Sequence, residues 1–178
     1  MGGSAGAGQR VTATRTRASA PWYRGERGEW YAIAQVGFFA LVAAGPRSLP
    51  GWPAWPTPVA TIASAAGLVL LLSGGALAVA GVFRLGSNLT VLPAPRDCTE
   101  LVESGPYAVV RHPIYSGLVL GGFGWALTVH GTLTLLWAFA LFAFFDVKSR
   151  VEERWLSDRF PAYAEYRTRV KKLIPWLY

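Results

Sequence analysis

The stretch that decides the fold is residues 114–145, IYSGLVLGGFGWALTVHGTLTLLWAFALFAFF, in which 32 consecutive residues include no Asp, Glu, Lys or Arg. A hydrocarbon core about 30 Å thick is crossed by about 20 helical residues, so this run is long for one span and short for two. Its centre, Val129-His130-Gly131-Thr132, is polar and flexible, as expected of the tip of a helical hairpin. The stretch therefore predicts two antiparallel membrane helices, residues 114–129 and 132–146.

The distribution of basic residues favours this hairpin over one long span. Eight of the 17 Lys and Arg residues lie from Lys148 onward, and Arg84, Arg96 and Arg111 lie in the linker before the run. A hairpin returns both basic segments to the same side of the membrane, in agreement with the positive-inside rule, whereas a single span separates them. The basic residues that give the net charge of +7 are thus interpreted as orienting the protein in the membrane, with both termini cytoplasmic. They are not interpreted as a surface that binds nucleic acid.

The remaining composition also indicates a membrane protein. Hydrophobic residues make up 52% of the chain and charged residues 15%, against about 25% charged in soluble globular chains. Residues 59–83 predict a further span, and residues 30–45 predict a shorter one that ends at Gly45-Pro46. The expected fold class is all-α, a multi-span transmembrane protein with about four spans and a cytoplasmic C-terminal helical segment.

Several other features are interpreted as structural. Residues 1–28 are rich in Gly, Ala, Thr and Arg and have no apolar core of a signal peptide, so they predict a disordered basic tail. Cys98 is the single cysteine, which excludes an intramolecular disulfide, and it is interpreted as a structural residue. His130 is interpreted as a turn residue, and no cluster of metal ligands is predicted.

Small residues recur within two of the predicted spans. They are Ser73-Gly74-Gly75 and the set Gly117, Gly121, Gly122 and Gly124. Such residues let helix backbones approach closely, so close helix packing is the expected role, with a groove for a long apolar ligand as the alternative.

Chemistry is expected in the two polar segments, residues 99–115 and 146–175. The first contains Gly105-Pro106-Tyr107 and Val110-Arg111-His112-Pro113-Ile114-Tyr115. Since a residue before proline is biased away from the helical region, His112 is expected to be extended at the entrance to the third span. In the second segment, Lys148 and Glu152 share a helix face at i, i+4, and by themselves they would indicate a surface ion pair on a solvated helix.

Together these segments resemble the isoprenylcysteine carboxyl methyltransferase family and the related phospholipid methyltransferases. The resemblance covers residues 84–175. The residues that carry it are Leu101, Val102, Gly105, Pro106, Tyr107, Arg111, His112, Pro113, Tyr115, Glu152, Glu153, Phe160, Tyr163, Tyr166, Ile174 and Pro175.

The resemblance implies S-adenosyl-L-methionine as cofactor and assigns residues to it. Glu152 would engage the amino-acid end of the cofactor. Lys148 stands where related enzymes place a substrate-facing arginine, and Leu92 replaces a polar cofactor contact, which is not carried over. The implied catalytic residues are Lys148, Glu152 and Arg111, Lys148 also binds substrate, and the implied cofactor-binding residues are Glu100, Leu101, Val102, Tyr107, His112, Pro113, Ile114, Tyr115 and Glu152.

The expected function is therefore a membrane-embedded methyltransferase, residues 29–178, that acts on a lipophilic carboxylate, thiol or amine. In-line methyl transfer needs mainly positioning and exclusion of water, which agrees with the absence of a Ser/His/Asp triad from the sequence. The expected surroundings are the plasma (inner) membrane and its lipid bilayer, with no nucleic acid and no metal as partners. The alternatives are a membrane reductase of the sterol-reductase type and a non-catalytic scaffold or sensor that keeps the fold.

Overall fold

The computed structural model describes residues 29–86, 89 and 100–178. The predictions for the tail at residues 1–28, for Cys98 and for Leu92 fall outside these described residues.

The described residues form five α-helices and one short 3-10 helix. They are α1 (Glu29–Ala44), α2 (Thr57–Leu85), the 3-10 helix (Gly105–Ala108), α3 (Pro113–Thr128), α4 (Thr132–Arg159) and α5 (Tyr163–Arg169). Within this part of the chain no strand forms, and one parallel bridge joins Val110 to Lys171. The predicted all-α fold class is thus confirmed.

Prolines mark the helix boundaries because they lack the backbone donor that a helix interior requires. Pro113 lies in the first turn of α3, where a missing N–H costs nothing. The segment between α1 and α2 contains Pro50, Pro53 and Pro56 and is not helical.

Two helices are long and apolar enough to cross a membrane. They are α2, with 29 residues, and α4, with 28 residues. The helices α1 and α3 have 16 residues each, so four spans stay a prediction. The predicted span at residues 132–146 ends within α4, and Glu152 and Glu153 lie further along the same helix.

The helical hairpin predicted from residues 114–145 is confirmed. Three residues connect α3 to α4, and His130 among them has a positive φ of 53°. Its Nε2 lies 2.8 Å from Ser64 Oγ and 3.0 Å from the Ala60 carbonyl oxygen on α2. Trp55 Nε1 donates to Thr132 Oγ1 at 3.1 Å. The segment between α1 and α2 therefore lies at the same end of the bundle as the hairpin tip.

Glycines line the contact between α2 and α3. On α2, Gly67, Gly74 and Gly81 are buried at intervals of two helical turns, and Gly117 and Gly124 are buried on α3. A Cβ at Gly74 would lie 2.6 Å from the Gly117 carbonyl oxygen, and a Cβ at Gly124 would lie 2.7 Å from that of Gly67. The two backbones touch, as predicted for small residues in a membrane helix pair.

Replacement of Gly117 by alanine should lower the free energy of unfolding by about 1–3 kcal/mol, the usual effect of an overpacked core. The new Cβ would lie 2.7 Å from the backbone nitrogen of Ala78, which cannot move without shifting α2. Gly121→Ala, one turn further along α3, is the matched control because a Cβ there meets no atom within 4 Å. Thermal unfolding in detergent measures both variants. Equal melting temperatures for the two would show that the close contact is not required.

Candidate functional site

A cavity of about 180 Å³ opens at the end of the bundle that holds the charged C-terminal half of α4. It brings together almost every residue predicted for the site, with Pro113 as the exception. The predicted residues that line it are Glu100, Leu101, Val102, Tyr107, Arg111, His112, Ile114, Tyr115, Lys148 and Glu152. Its other lining residues are Gln35, Leu85, Leu89, Leu156, Phe160, Tyr163 and Tyr166.

Glu152 is fixed at the cavity wall by a tyrosine of the neighbouring helix. Tyr115 Oη donates to Glu152 Oε2 at 2.9 Å, and the Tyr115 ring stacks on His112 and Phe145 at centroid distances of 5.5 and 4.6 Å. His112 Nδ1 lies 3.7 Å from the same carboxylate oxygen. The first turn of α3 therefore holds a carboxylate of α4 in a defined position on the cavity.

The neighbouring Glu153 makes a separate buried cluster with Arg111 and His112. Arg111 Nε and Nη2 each lie 2.8 Å from Glu153 Oε1, and His112 Nε2 lies 3.1 Å from it. Burial alone would raise the pKa of Glu153, but the hydrogen bonds from His112 and Arg111 lower it to about 2. Glu153 is one of the residues that carry the family resemblance, but the resemblance assigned it no role. Its partners are seen only in the tertiary structure.

Arg111 is further held by the last turn of α5 and by the residue that follows this helix. Its Nη1 donates to the carbonyl oxygens of Val170 and Arg167. A guanidinium with this many protein acceptors is well suited to position Glu153 and His112. Its contacts favour a positioning role over the catalytic one that the resemblance implied.

The C-terminal segment braces the segment before α3. Backbone N–H groups of Arg111 and His112 donate to the carbonyl oxygens of Lys171 and Lys172 at 2.8 and 3.2 Å. Ser116 Oγ donates to the Leu173 carbonyl oxygen at 2.6 Å. His112 itself has φ −126° and ψ 65° and caps α3, so it lies outside the helical region as expected, but its ψ is below the extended range that was predicted.

A further contact joins the 3-10 helix to α5. Tyr166 Oη donates to the Tyr107 carbonyl oxygen at 2.6 Å. Burial raises the pKa of Tyr107 above its ordinary value, and the nearby negative charge of Glu152 raises it further. The phenol therefore stays neutral at physiological pH and presents an uncharged aromatic face to the cavity.

Lys148 does not lie on a solvated helix surface. Its side chain is 1% exposed, its Nζ donates to Gln35 Oε1 of α1 at 2.6 Å, and the same atom lies 5.3 Å from the centroid of the Tyr115 ring. The interpretation of Lys148 and Glu152 as a plain surface pair is therefore wrong for Lys148. The sequence analysis did not identify Gln35 as a site residue. The feature that could have indicated it is a single amide side chain within the apolar run of α1.

Comparison with known proteins identifies a matching family and several similar proteins. The family model described as phospholipid methyltransferase matches residues 62–162, from α2 to the segment before α5. The cobalt-zinc-cadmium resistance protein CzcN of Cupriavidus metallidurans is 38% identical over 61% of this chain and 50% of its own length. The protein-S-isoprenylcysteine O-methyltransferase of Saccharomyces cerevisiae is 38% identical over 43% of this chain and 33% of its own.

A third relative, methanethiol S-methyltransferase 1 of Bradyrhizobium diazoefficiens, is 41% identical over 46% of this chain and 27% of its own length. The chain thus spans half or less of the length of these three relatives. The family model extends over more than half of the chain and includes the Arg111–His112 segment together with both glutamates of α4. Since this match covers more than half of the chain and includes most of the residues that line the cavity, the chain belongs to the phospholipid methyltransferase family.

Proposed function

We propose that this chain is an S-adenosyl-L-methionine-dependent methyltransferase that acts on a lipophilic acceptor at the cytoplasmic face of a membrane. The observation that carries the proposal is the cavity, in which two distant polar segments meet beside the membrane helices. Glu152 from α4 and Tyr115 from α3 contribute its polar wall. The family membership of residues 62–162 supports the same reaction class.

The residues around the cavity fit the proposed cofactor. S-adenosylmethionine supplies the methyl group on a sulfonium and carries an ammonium, which the carboxylate of Glu152 complements. Leu101, Val102 and Tyr107 offer apolar and aromatic surface for the adenosine part. The buried hydroxyl of Tyr163 has no hydrogen-bond partner among the described residues, and a polar ligand in the cavity would satisfy it.

The roles of the charged residues follow from their positions. Glu152 binds and orients the cofactor from one side of the cavity, and Lys148 holds the acceptor from α4 one turn earlier. Arg111 keeps Glu153 and His112 in place, because its guanidinium contacts Glu153 and two backbone carbonyl oxygens. Because the nucleophile already carries a lone pair, orientation and exclusion of water supply most of the rate enhancement.

Residues 29–178 are proposed to form one integral membrane domain with four spans and both termini in the cytoplasm. The end of the bundle that carries the cavity also carries Arg84, whose guanidinium donates to Ser104, and the basic C-terminal segment. The plasma (inner) membrane is the proposed location, and a basic end on its cytoplasmic side agrees with the positive-inside rule.

A screen for methyl transfer tests the function directly. The purified protein in detergent, supplied with methyl-labelled S-adenosylmethionine, is expected to label one of three matched acceptors: an isoprenoid acid, an isoprenoid thiol or a lipid amine. S-adenosylhomocysteine should inhibit this labelling. Binding of a nicotinamide cofactor in place of S-adenosylmethionine would identify the reductase alternative, and binding of neither cofactor would favour a scaffold or sensor.

A further inference from the structure

Helix α1 lies outside the region that matches the family model, yet it contributes to the cavity. The match to the family begins at residue 62, whereas α1 spans Glu29–Ala44. The helix packs on α4 through aromatic pairs, with Phe38 and Phe144 at a centroid distance of 5.1 Å and Tyr31 and Phe144 at 6.2 Å. These contacts fix the rotation of α1 about its axis.

Gln35 lies between the aromatic residues on this packed face of α1. Tyr31, Gln35, Phe38 and Val42 follow the i, i+4, i+7, i+11 pattern of one helix face. Gln35 is half-buried and lines the cavity. A polar side chain within an apolar membrane helix is costly, and such residues mark sites of packing or function.

The contact with Lys148 determines which way the amide of Gln35 is oriented. A lysine ammonium has only donors, so the atom 2.6 Å from Lys148 Nζ is the amide oxygen. The amide nitrogen, with two N–H donors, has no hydrogen-bond acceptor among the described residues. The pair thus combines a cationic donor from α4 with a neutral donor from α1 on one wall of the cavity.

We propose that Gln35 is a specificity-determining residue, which together with Lys148 selects an acceptor that ends in a carboxylate. The ammonium donates to one carboxylate oxygen and the Gln35 amide N–H to the other. Lys148 on α4 and Gln35 on α1 would together make the two hydrogen bonds to a carboxylate that a single arginine guanidinium can make. The inference deepens the proposed function and rests on it for the acceptor's role in methyl transfer, but the binding preference is measurable without turnover.

The chemistry of the pair distinguishes among the three acceptor classes. A carboxylate offers two oxygens for two donors, which is the geometry of strong charge-assisted recognition. A thiolate offers one acceptor atom and leaves the amide donor unused. An amine acceptor brings its own N–H groups or positive charge against Lys148 and is disfavoured.

Binding of a matched pair of probes tests the proposal. The protein loaded with S-adenosylhomocysteine is titrated in detergent with farnesoic acid and with farnesol, which differ only in the head group. The wild type should bind the acid at least about tenfold more tightly, a difference of about 1.4 kcal/mol, since hydrogen bonds to a charged group are stronger than those to a neutral one. Absence of this preference would overturn the proposal, whether or not methyl transfer is observed.

Gln35→Glu separates specificity from a purely structural role. Glutamate still accepts the hydrogen bond from Lys148, so a structural role predicts an unchanged or raised melting temperature and an unchanged preference for the acid. The proposal predicts that the preference is lost, because the N–H donors are gone and a negative charge faces the carboxylate. Affinity for S-adenosylhomocysteine should stay the same, and a retained preference would overturn the proposal.

Two further variants complete the test. Gln35→Met removes both hydrogen-bonding groups at similar size, and it decides the question if Gln35→Glu does not fold: a fall in the preference supports the proposal and an unchanged preference overturns it. Val36→Met, at an adjacent position that is 69% exposed on the outer face of α1, is the matched control and should keep the wild-type preference. Absence of methyl transfer with the acid preference intact would contradict the proposed function alone.

Discussion

Turnover of a Glu152→Gln variant should fall by about tenfold or more together with its affinity for S-adenosylmethionine, since a charge-assisted hydrogen bond contributes about 1.5–3 kcal/mol. Glutamine keeps the size of the side chain but removes the negative charge from the cavity wall. Its amide oxygen can still accept the hydrogen bond that Tyr115 Oη donates at 2.9 Å, so the fold should be preserved. Calorimetric titration and single-turnover methyl transfer measure the two effects.

Glu165→Gln is the matched control for this variant. The Glu165 side chain is 79% exposed and lies outside the cavity, near Arg169 in α5. Its replacement should change neither cofactor affinity nor turnover. Wild-type cofactor affinity in Glu152→Gln would contradict the assignment of this carboxylate to the cofactor.

Replacement of the adjacent Glu153 by glutamine should instead destabilise the protein, by about 3–5 kcal/mol, as expected when one partner of a buried ion pair is removed. The side chains of Arg111 and Glu153 are 9% and 7% exposed, so the guanidinium would lose its compensating charge away from water. His112 would lose the same partner at 3.1 Å. Thermal and denaturant unfolding in detergent should show the loss, with cofactor binding reduced as a consequence.

The stabilisation by Glu153 should depend on pH in a defined direction. The pKa of Glu153 is about 2 in the folded protein, below the ordinary value of 4.5. At pH values above 4.5 the ionised carboxylate therefore makes its full contribution to the stability of the fold. This contribution is lost as the pH falls toward the lowered pKa. The stability difference between wild type and Glu153→Gln should therefore shrink as the pH is lowered from about 6 to about 3. Glu152→Gln serves as the control, and a larger destabilisation by that variant would contradict the separation of the two glutamates.

The two neighbouring glutamates show how far sequence reasoning about the site extends. Successive residues of a helix point about 100° apart, so Glu152 and Glu153 were certain to face different surroundings. Which of them meets Tyr115 and which meets Arg111 depends on how α3 and the C-terminal segment dock on α4. The pattern of residues carried the resemblance for both but gave a role to only one.

The resemblance to a known family, and not a local property, indicated most of the cavity residues. The sequence by itself determined the membrane character, the all-α fold and the hairpin around His130. These depend on local properties: the length of an apolar run, a flexible break and a proline at a helix start. Each is set by the free energy of placing a short segment in lipid or water, so no distant partner is needed to predict it.

Only the tertiary structure decided that Lys148 is buried against Gln35, a partner 113 residues away in the chain, and that Glu153 joins Arg111 and His112. Such contacts depend on the rotation and register of whole helices. Rotation and register follow from side-chain packing along entire interfaces, such as the glycine contact of α2 with α3 and the aromatic contact of α1 with α4. A packed interface is a sum of many small long-range terms, which no local pattern in the sequence expresses.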